Sequence, residues 1–325
     1  MPELQLLQPT VLTGVIEEYV APPENVARPL FQRTDYPFPY AKWDVLKGSR
    51  QRAQVTMPNR EGKIVAQLGI GEKTAAFIYV REKKAFEPTT LRWLRTPGEM
   101  ARANAEKHVR RETKDLNDRV ERLIESFSWD ALKGTITINE PDVKATVDMQ
   151  YDATHKPTAG TLWSDTLNAD IIGNVKAWKK LIVQDSGFQA TDVYLSSTVM
   201  DEYITKNDDI RDVWTERHRT QYLETGEIHG LLGLTWHVFD GGYNDTTDTF
   251  QQYIPDTHII MMAKGGNPFQ LMYGLSADED APENHTGKFS KSWVEKDPSA
   301  RFVLIELNFL PLVQRPDNVI YAQIA

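Results

Sequence analysis

The sequence predicts a mixed α+β fold, in which β-structure and helices fill separate stretches of the chain. Residues 96–132 carry apolar side chains at helical spacing. Within residues 41–88, apolar residues instead alternate with other residue types, as in β-strands, and turn signals separate these stretches. From residue 162 onward, short helical and strand patterns succeed one another, and the chain ends in two apolar strand patterns. Separate strand and helix stretches, followed by a compact α/β unit from residue 162, together describe an α+β chain.

The first forty residues predict an arm with one short amphipathic helix. Its apolar residues fall at helical spacing at Val11, Leu12, Val15, Ile16 and Tyr19. Pro22 and Pro23 end the helix, and further prolines keep the next stretch extended. Because such an arm can bury little of itself, we expect it to lie along another surface, either the body of its own chain or a neighbour.

Residues 41–88 predict a β-ribbon with little core. Strand patterns fall at 50–56, 64–70 and 75–80, and residues 57–62 give a turn signal between the first two. A ribbon with so few large apolar residues is only marginally stable by itself. We therefore expect it to project from the body.

Residues 96–132 predict one long helix, which Gly134 stops. Its apolar residues form a thin stripe at Val109, Leu116, Val120, Leu123, Ile124 and Phe127. Between residues 99 and 125 the other faces carry seven Lys or Arg and seven Asp or Glu. Two interpretations fit: a solvated surface helix, or a spine that packs on its own domain with one face and on partners with the others.

The rest of the chain predicts short elements. They are two strands within 134–151, a helix at 165–186 stopped by Gly187, a strand at 191–195, helices at 196–204 and from 208, strands at 231–239 and 258–263, a polar loop at 276–291, and strands at 301–307 and 319–324. The Gly, Asn and Asp content of loops 240–250 and 276–290 would suit adaptable loops.

Composition excludes several classes of protein. The 325 residues carry 37 basic and 46 acidic side chains, a net charge of −9, which argues against a general polyanion binder. The absence of cysteine excludes disulfides, thiolate zinc sites and cysteine nucleophiles. No apolar run is long enough to cross a bilayer and no secretory signal is visible, so we expect a soluble protein made in the cytosol.

No catalytic or metal-binding pattern stands out. Residues 69–74 (GIGEKT) lack the spacing of a phosphate-binding loop, and the seven histidines include no metal-ligand pair. Asp278, Glu279 and Asp280 lack calcium-loop spacing. We therefore expect neither an enzyme nor a cofactor or metal site.

Several short sequences in a fixed order carry a family resemblance. They are LLQPTVLTGV (6–15), LKGSR (46–50), EGKIV (61–65), WSD (163–165), QDSGF (184–188), YIPDTHII (253–260), KSWVEKDPSAR (291–301), LPL (310–312) and RPD (315–317). Through them the chain resembles the major capsid protein E family of tailed bacteriophages, the lambda-type major head proteins, over nearly its whole length.

The resemblance implies the Hong Kong 97 capsid fold and a division of the chain. The implied parts are an N-terminal arm at 1–40, an extended β-hairpin loop at 41–88, a peripheral domain with spine helix and β-hairpin at 89–159, an axial domain at 160–290, and C-terminal strands at 291–325 that return to the peripheral domain.

The resemblance also implies the function and partners. A major head protein assembles with copies of itself, as pentamers and hexamers, into an icosahedral shell around double-stranded DNA, which it contacts weakly and without sequence preference. The implied location is the virion capsid, assembled in the host cytoplasm without a membrane. Scaffold and portal proteins, and in some relatives a decoration protein, are further implied partners.

The predicted subunit contacts fall in two groups. Arm and extended loop contribute Leu12, Ile16, Arg50, Met57, Pro58, Arg60, Glu61 and Lys63. Spine and peripheral domain contribute Arg110, Arg111, Lys114, Trp293, Arg301 and Arg315.

Two rival functions remain open from sequence. A cellular nanocompartment shell of the same fold would carry an interior groove for cargo and would assemble without a portal. An enzyme with an α/β domain at 160–270 would need a convergent site for a phosphorylated ligand, and no motif supplies one.

Overall fold

The computed structural model describes residues 8–17, 19, 25–46, 70–86, 99–140, 143–245, 247–296 and 299–325. Within them, the α-helices are α1 (Pro9–Glu17), α2 (Glu99–Leu132), α3 (Ile171–Ser186), α4 (Asp208–Val213) and α5 (Glu216–Thr225). A π-helical segment covers Val199–Ile204.

The strands of the described residues follow in chain order. They are β1 (Gln32–Asp35), β2 (Tyr40–Leu46), β3 (Ile70–Ala76), β4 (Ile78–Phe86), β5 (Thr135–Asn139), β6 (Lys144–Asp148), β7 (Asp192–Leu195), β8 (Glu227–Leu231), β9 (Leu234–Val238), β10 (Gly242–Asn244), β11 (Phe250–Gln252), β12 (His258–Met262), β13 (Phe269–Tyr273), β14 (Phe289–Lys296), β15 (Ser299–Val313) and β16 (Val319–Gln323).

The chain divides into two compact units. Unit 1 takes its described residues from 1–42, 74–128 and 270–312, and unit 2 takes its own from 43–73, 129–269 and 313–325. Residues 270–290 thus belong to unit 1, which differs from the axial-domain boundary predicted at residue 290.

The sheet of unit 1 is organised around the long strand β15. Strand β14 pairs with it antiparallel from Phe289↔Glu306 to Lys296↔Ser299. Strand β4 pairs with it on the opposite edge, antiparallel, from Ile78↔Phe309 to Phe86↔Arg301. Strand β13 is a further neighbour of β15, and β1 adds to β13 in parallel. With neighbours on both edges, β15 is the central strand of this sheet.

The core of unit 1 follows the apolar periodicity of its elements. Residues Val109, Leu116, Val120 and Ile124 of α2 lie on one helical face, and all four are buried. Residues 303–307 of β15 are buried without alternation, as in a strand covered on both faces. Phe127 and Phe309 pack with ring centroids 6.1 Å apart.

Unit 2 contains a second five-stranded sheet in the order β16-β12-β7-β9-β8. Strands β7 and β9 are parallel, whereas the other neighbours are antiparallel. Helix α3 supplies buried side chains at four positions spaced by three or four residues: Ile171, Val175, Trp178 and Ile182. A separate hairpin pairs β5 with β6.

The fold class and most long elements match the predictions. Helices α1, α2 and α3 lie where the apolar spacing placed them, and Gly134 and Gly187 follow α2 and α3 with φ of +92° and +87°. Helix α3 begins later than predicted because the Asp170 side chain accepts from the Gly173 N–H and caps the helix there.

Two strand predictions were wrong in detail. The predicted strand 231–239 contains the last residue of β8, a turn and strand β9, because Leu232 and Gly233 both adopt positive φ and reverse the chain. The predicted strand 75–80 is split at Phe77 between β3 and β4. Strand β3 pairs with β2, and strand β4 belongs to the sheet of unit 1. The predicted strand 50–56 and most of 64–70 lie outside the described residues.

Candidate subunit-contact surfaces

Helix α1 packs on its own chain, against β14. Leu12 and Ile16 are buried, at 2% and 1% exposure. The Thr13 hydroxyl accepts from the Ser290 N–H at 3.2 Å and donates to the Ser290 carbonyl at 3.3 Å. Both backbone polar groups of Ser290, at the outward edge of β14, thus have a hydrogen-bond partner. Of the two surfaces considered for the arm, the described part thus uses the body of its own chain. Leu12 and Ile16 are thus buried by their own chain, and the contact with a neighbour predicted for these two side chains stays a prediction.

The backbone of arm residues 26–28 is held by one buried carboxylate on α2. Glu125 is fully buried and accepts three backbone N–H groups, from Val26, Ala27 and Arg28, at 2.9, 2.7 and 2.8 Å. An anion that accepts several N–H groups forms strong, charge-assisted hydrogen bonds. This carboxylate therefore determines where the arm meets α2.

One turn earlier on α2, Glu121 organises a buried ion cluster. It is 2% exposed and pairs with Arg28 at 2.7 Å and with Lys288. The Lys288 ammonium also donates to the Asn117 side chain at 2.6 Å. Burial lowers the pKa of Lys288 from its usual value, although Glu121 opposes this shift.

Strand β4 is joined to α2 by surface ion pairs. Lys84 reaches both Glu112, at 2.9 Å, and Asp115, at 2.5 Å, and Arg119 pairs with Glu82 at 2.7 Å. These pairs are partly exposed, so each contributes about 1 kcal/mol or less. Their charged side chains also protect the outer edge of β4.

Loop 276–278 is held more firmly than predicted. Glu306 of β15 is 1% exposed and accepts from the Ser276 hydroxyl and from the N–H groups of Ala277 and Asp278, at 3.1 and 3.0 Å. Tyr79 donates to the same carboxylate at 3.0 Å. This network makes the start of loop 276–290 a fixed part of unit 1 rather than an adaptable one.

An aromatic patch lies where the β14–β15 hairpin approaches its turn. Trp293 and Phe302 are cross-strand partners stacked at 5.4 Å, and the Lys83 ammonium lies 4.9 Å from the Phe302 ring centre. On the opposite face of the hairpin, Val294 is 51% exposed and Arg301 donates to the Ser292 hydroxyl at 3.1 Å. The predicted contact residues Trp293 and Arg301 thus lie half-buried at a strand end that offers apolar surface.

The other predicted contact residues fall into three groups: some are exposed, one is half-buried, and the rest lie outside the described residues. Arg110, Arg111 and Lys114 are exposed on α2. Arg315 lies in unit 2 and is half-buried, with its guanidinium 5.7 Å from the Phe188 ring centre, so this cation–π contact occupies it within its own chain. Arg50, Met57, Pro58, Arg60, Glu61 and Lys63 lie outside the described residues.

In unit 2, sequence analysis missed a polar cluster around Asp192. This residue contacts His237 at 2.8 Å, Lys264 at 2.9 Å and the Thr191 hydroxyl at 2.5 Å. Burial opposes its ionisation, but the hydrogen bonds from these three partners outweigh burial and hold the pKa of Asp192 well below its usual value. His237 and Lys264 lie 45 and 72 residues from Asp192 along the chain, so no local spacing could have shown this cluster.

Neither metal-binding nor membrane-spanning features occur in the described part of the chain. Its His, Asp and Glu residues form no group of three or more that could hold a metal ion. None of its helices combines the length and the apolar character needed to cross a bilayer.

Comparison with known protein families shows which family the chain belongs to. The profile of the family described as phage major capsid protein E matches residues 8–324. The chain therefore belongs to the phage major capsid protein E family, and it is a capsid protein that forms part of a phage head shell. No curated protein sequence matches the chain.

Solved structures agree with this assignment at the level of the fold. A crystal structure assigned as a prophage capsid protein of Escherichia coli CFT073 has a TM-score of 0.69 at 16% identity, over 98% of this chain and 99% of that one. The capsid of Ralstonia phage GP4 has a TM-score of 0.51 at 14% identity, over 93% and 88% of the two chains. The virus-like particle of Pyrococcus furiosus has a TM-score of 0.51 at 8% identity, over 98% and 100%. The fold is that of the Hong Kong 97-type capsid proteins, and the family match favours a phage head over a cellular nanocompartment.

Proposed function

We propose that the chain builds an icosahedral head from pentamers and hexamers in the host cytoplasm, and that residues 47–69 hold neighbouring subunits together. The observation that carries this proposal is a charge contrast. Residues 47–69 contain five Lys or Arg and one Glu, whereas the whole chain has a net charge of −9. A basic segment and an otherwise acidic subunit are complementary between copies of the same molecule.

The flanking strands support the same proposal. Strands β2 and β3 pair as a two-stranded ribbon, and residues 47–69 connect their ends. A ribbon of two strands gains little stability by itself, so a segment carried at its end is suited to adding contacts on another molecule. Many such contacts, each modest, act together in a closed shell.

Exposed apolar surface offers additional contacts. We propose that the aromatic patch of Lys83, Trp293 and Phe302, with Val294 and Arg301 on the other face, lies against a neighbouring subunit. Aromatic residues and Arg are enriched where subunits meet. By analogy with the family, scaffold and portal proteins belong to the same assembly, and a decoration protein is an optional addition.

The experiment replaces residues 50–66 with a short Gly-Ser segment, which leaves the described strands β2 and β3 intact. We expect a folded subunit that forms no closed particles in negative-stain microscopy. A second variant, Arg50→Gln/Arg60→Gln/Lys63→Gln, should assemble only at lower salt than the wild-type chain, because it removes charge and keeps length. The matched control is Lys176→Gln/Lys180→Gln/Arg217→Gln, three exposed cations of unit 2. Normal particles from the replacement variant would reject the role of this segment.

A further inference from the structure

Four cations form an exposed stripe on one face of α2. Lys107, Arg110, Arg111 and Lys114 are spaced at i, i+3, i+4 and i+7, which places them within about 100° of the helix circumference. All four side chains are exposed. We refer to these four residues as the basic stripe.

The basic stripe is unpaired within the described part of the chain. None of its four cations has a carboxylate oxygen within 4.0 Å among the described residues, although the charge of Lys114 opposes the rise that burial causes in the pKa of the half-buried Asp118. The acidic residues interspersed with the stripe are engaged elsewhere, since Glu112 and Asp115 both pair with Lys84 of β4. Like charges at these spacings on a helix repel one another, a cost that an external polyanion would relieve.

Further along α2, the helix face that carries the basic stripe carries acidic side chains instead, and these are covered by other parts of the chain. Continuing at helical spacing, the stripe is followed by Glu121 and Glu125, which are buried by residues 25–28 and by Lys288. Among the described residues, the acidic half of the face is thus covered by the chain's own groups, whereas the side chains of the basic half stay exposed although the Tyr19 hydroxyl donates to the Arg110 carbonyl at 3.1 Å.

The chemistry of the stripe suits a phosphate backbone better than a protein surface. A protein interface buries apolar anchors at its centre and is poor in Lys. Among the described side chains of α2, no large apolar residue is exposed beside the stripe. Phosphate recognition requires only cations at regular spacing, and residues 107–114 span about 10 Å along the helix axis, a length over which duplex DNA presents about six charges.

We infer that Lys107, Arg110, Arg111 and Lys114 contact the phosphate backbone of double-stranded DNA, without sequence preference and weakly enough to be released by salt. This inference rests on the proposed function, since the enclosed genome is the polyanion that a head subunit meets. It assigns Arg110, Arg111 and Lys114 to DNA rather than to the subunit contacts predicted from sequence. Four contacts give a slope of log affinity against log salt of about −3.6, which is a roughly 150-fold loss of affinity between 50 and 200 mM salt.

The test compares the full chain with two quadruple variants of equal charge change. One variant is Lys107→Gln/Arg110→Gln/Arg111→Gln/Lys114→Gln. The control is Lys176→Gln/Lys180→Gln/Arg217→Gln/Arg219→Gln, which removes four exposed cations from α3 and α5. Binding to a labelled 20-base-pair duplex is measured by fluorescence anisotropy across a salt series, and particle formation is followed by sedimentation.

The inference predicts that the stripe variant still forms particles and loses at least 10-fold in duplex affinity at 50 mM salt, with a salt slope near zero. The control variant should keep the slope of the wild-type chain. Equal losses in both variants, or no duplex binding by the wild-type chain, would overturn the inference while leaving the shell role intact. A stripe variant that binds duplex normally and fails to assemble would also overturn it, because the stripe would then be a subunit contact. A wild-type chain that forms no particles would instead reject the proposed function.

Discussion

Replacing the buried carboxylate of Glu125 with an amide should weaken the attachment of arm residues 26–28 to α2. In Glu125→Gln the volume hardly changes, but one of the two oxygens becomes an NH2 group. The Val26 and Ala27 N–H groups share Oε1, so an amide oxygen at that position keeps these two hydrogen bonds in weaker, neutral form. The Arg28 N–H at Oε2 then faces a donor and loses its partner.

The expected cost follows from these three hydrogen bonds. An unsatisfied buried N–H costs about 1–3 kcal/mol, and two charge-assisted hydrogen bonds weakened to neutral ones lose about 1 kcal/mol each. We therefore expect the free energy of unfolding of unit 1 to fall by about 3–5 kcal/mol.

Urea unfolding of the unassembled subunit, followed by tryptophan fluorescence, measures this change. The control is Glu112→Gln on the same helix, whose partly exposed pair with Lys84 should cost about 1 kcal/mol or less. If Glu125→Gln and Glu112→Gln unfold at the same urea concentration, Glu125 does not anchor the arm and the reasoning is refuted.

Two further predictions test the packing of α1 and the Asp192 cluster. Leu12→Ala should destabilise the isolated subunit by about 2–5 kcal/mol, whereas Val11→Ala, at a 38% exposed position, should change it by about 0.5 kcal/mol or less; a loss seen only in assembled particles would instead place Leu12 between subunits. Because the folded-state pKa of Asp192 is depressed, the stability that it contributes is present above about pH 4 and is lost as the pH falls through the folded-state pKa. Asp192→Asn should therefore lower stability at pH 7 and flatten the decline in stability below pH 4, as measured by thermal unfolding across pH; an unchanged acid profile would exclude this residue as a source of that decline.

Apolar periodicity was enough to predict helices α1, α2 and α3, but it did not predict α5, which has no buried residue. Helix α2 follows the stripe from Val109 to Ile124, and Gly134 ends the pattern as expected. Such patterns are local, so one stretch of sequence contains all the information. The resemblance through residues 291–301 added the family, which periodicity alone could not supply.

The positions of buried charges could not be predicted from sequence. Glu121 and Glu125 look like two more acids on a mixed-charge helix, and only residues 25–28 and Lys288, distant in sequence, reveal them as an anchor for the arm. The arm was expected to bury little of itself because it is long and has a single short helix. The structure shows that a few are sufficient when strand β14 offers a matching surface.

Particle formation by the purified wild-type chain tests the central claim most directly. Negative-stain microscopy and sedimentation of this chain at near-physiological salt should show closed shells or capsomers many times the 37.1 kDa mass of one subunit. A chain that stays monomeric across a wide range of concentration, salt and pH would contradict its assignment as a self-assembling head protein.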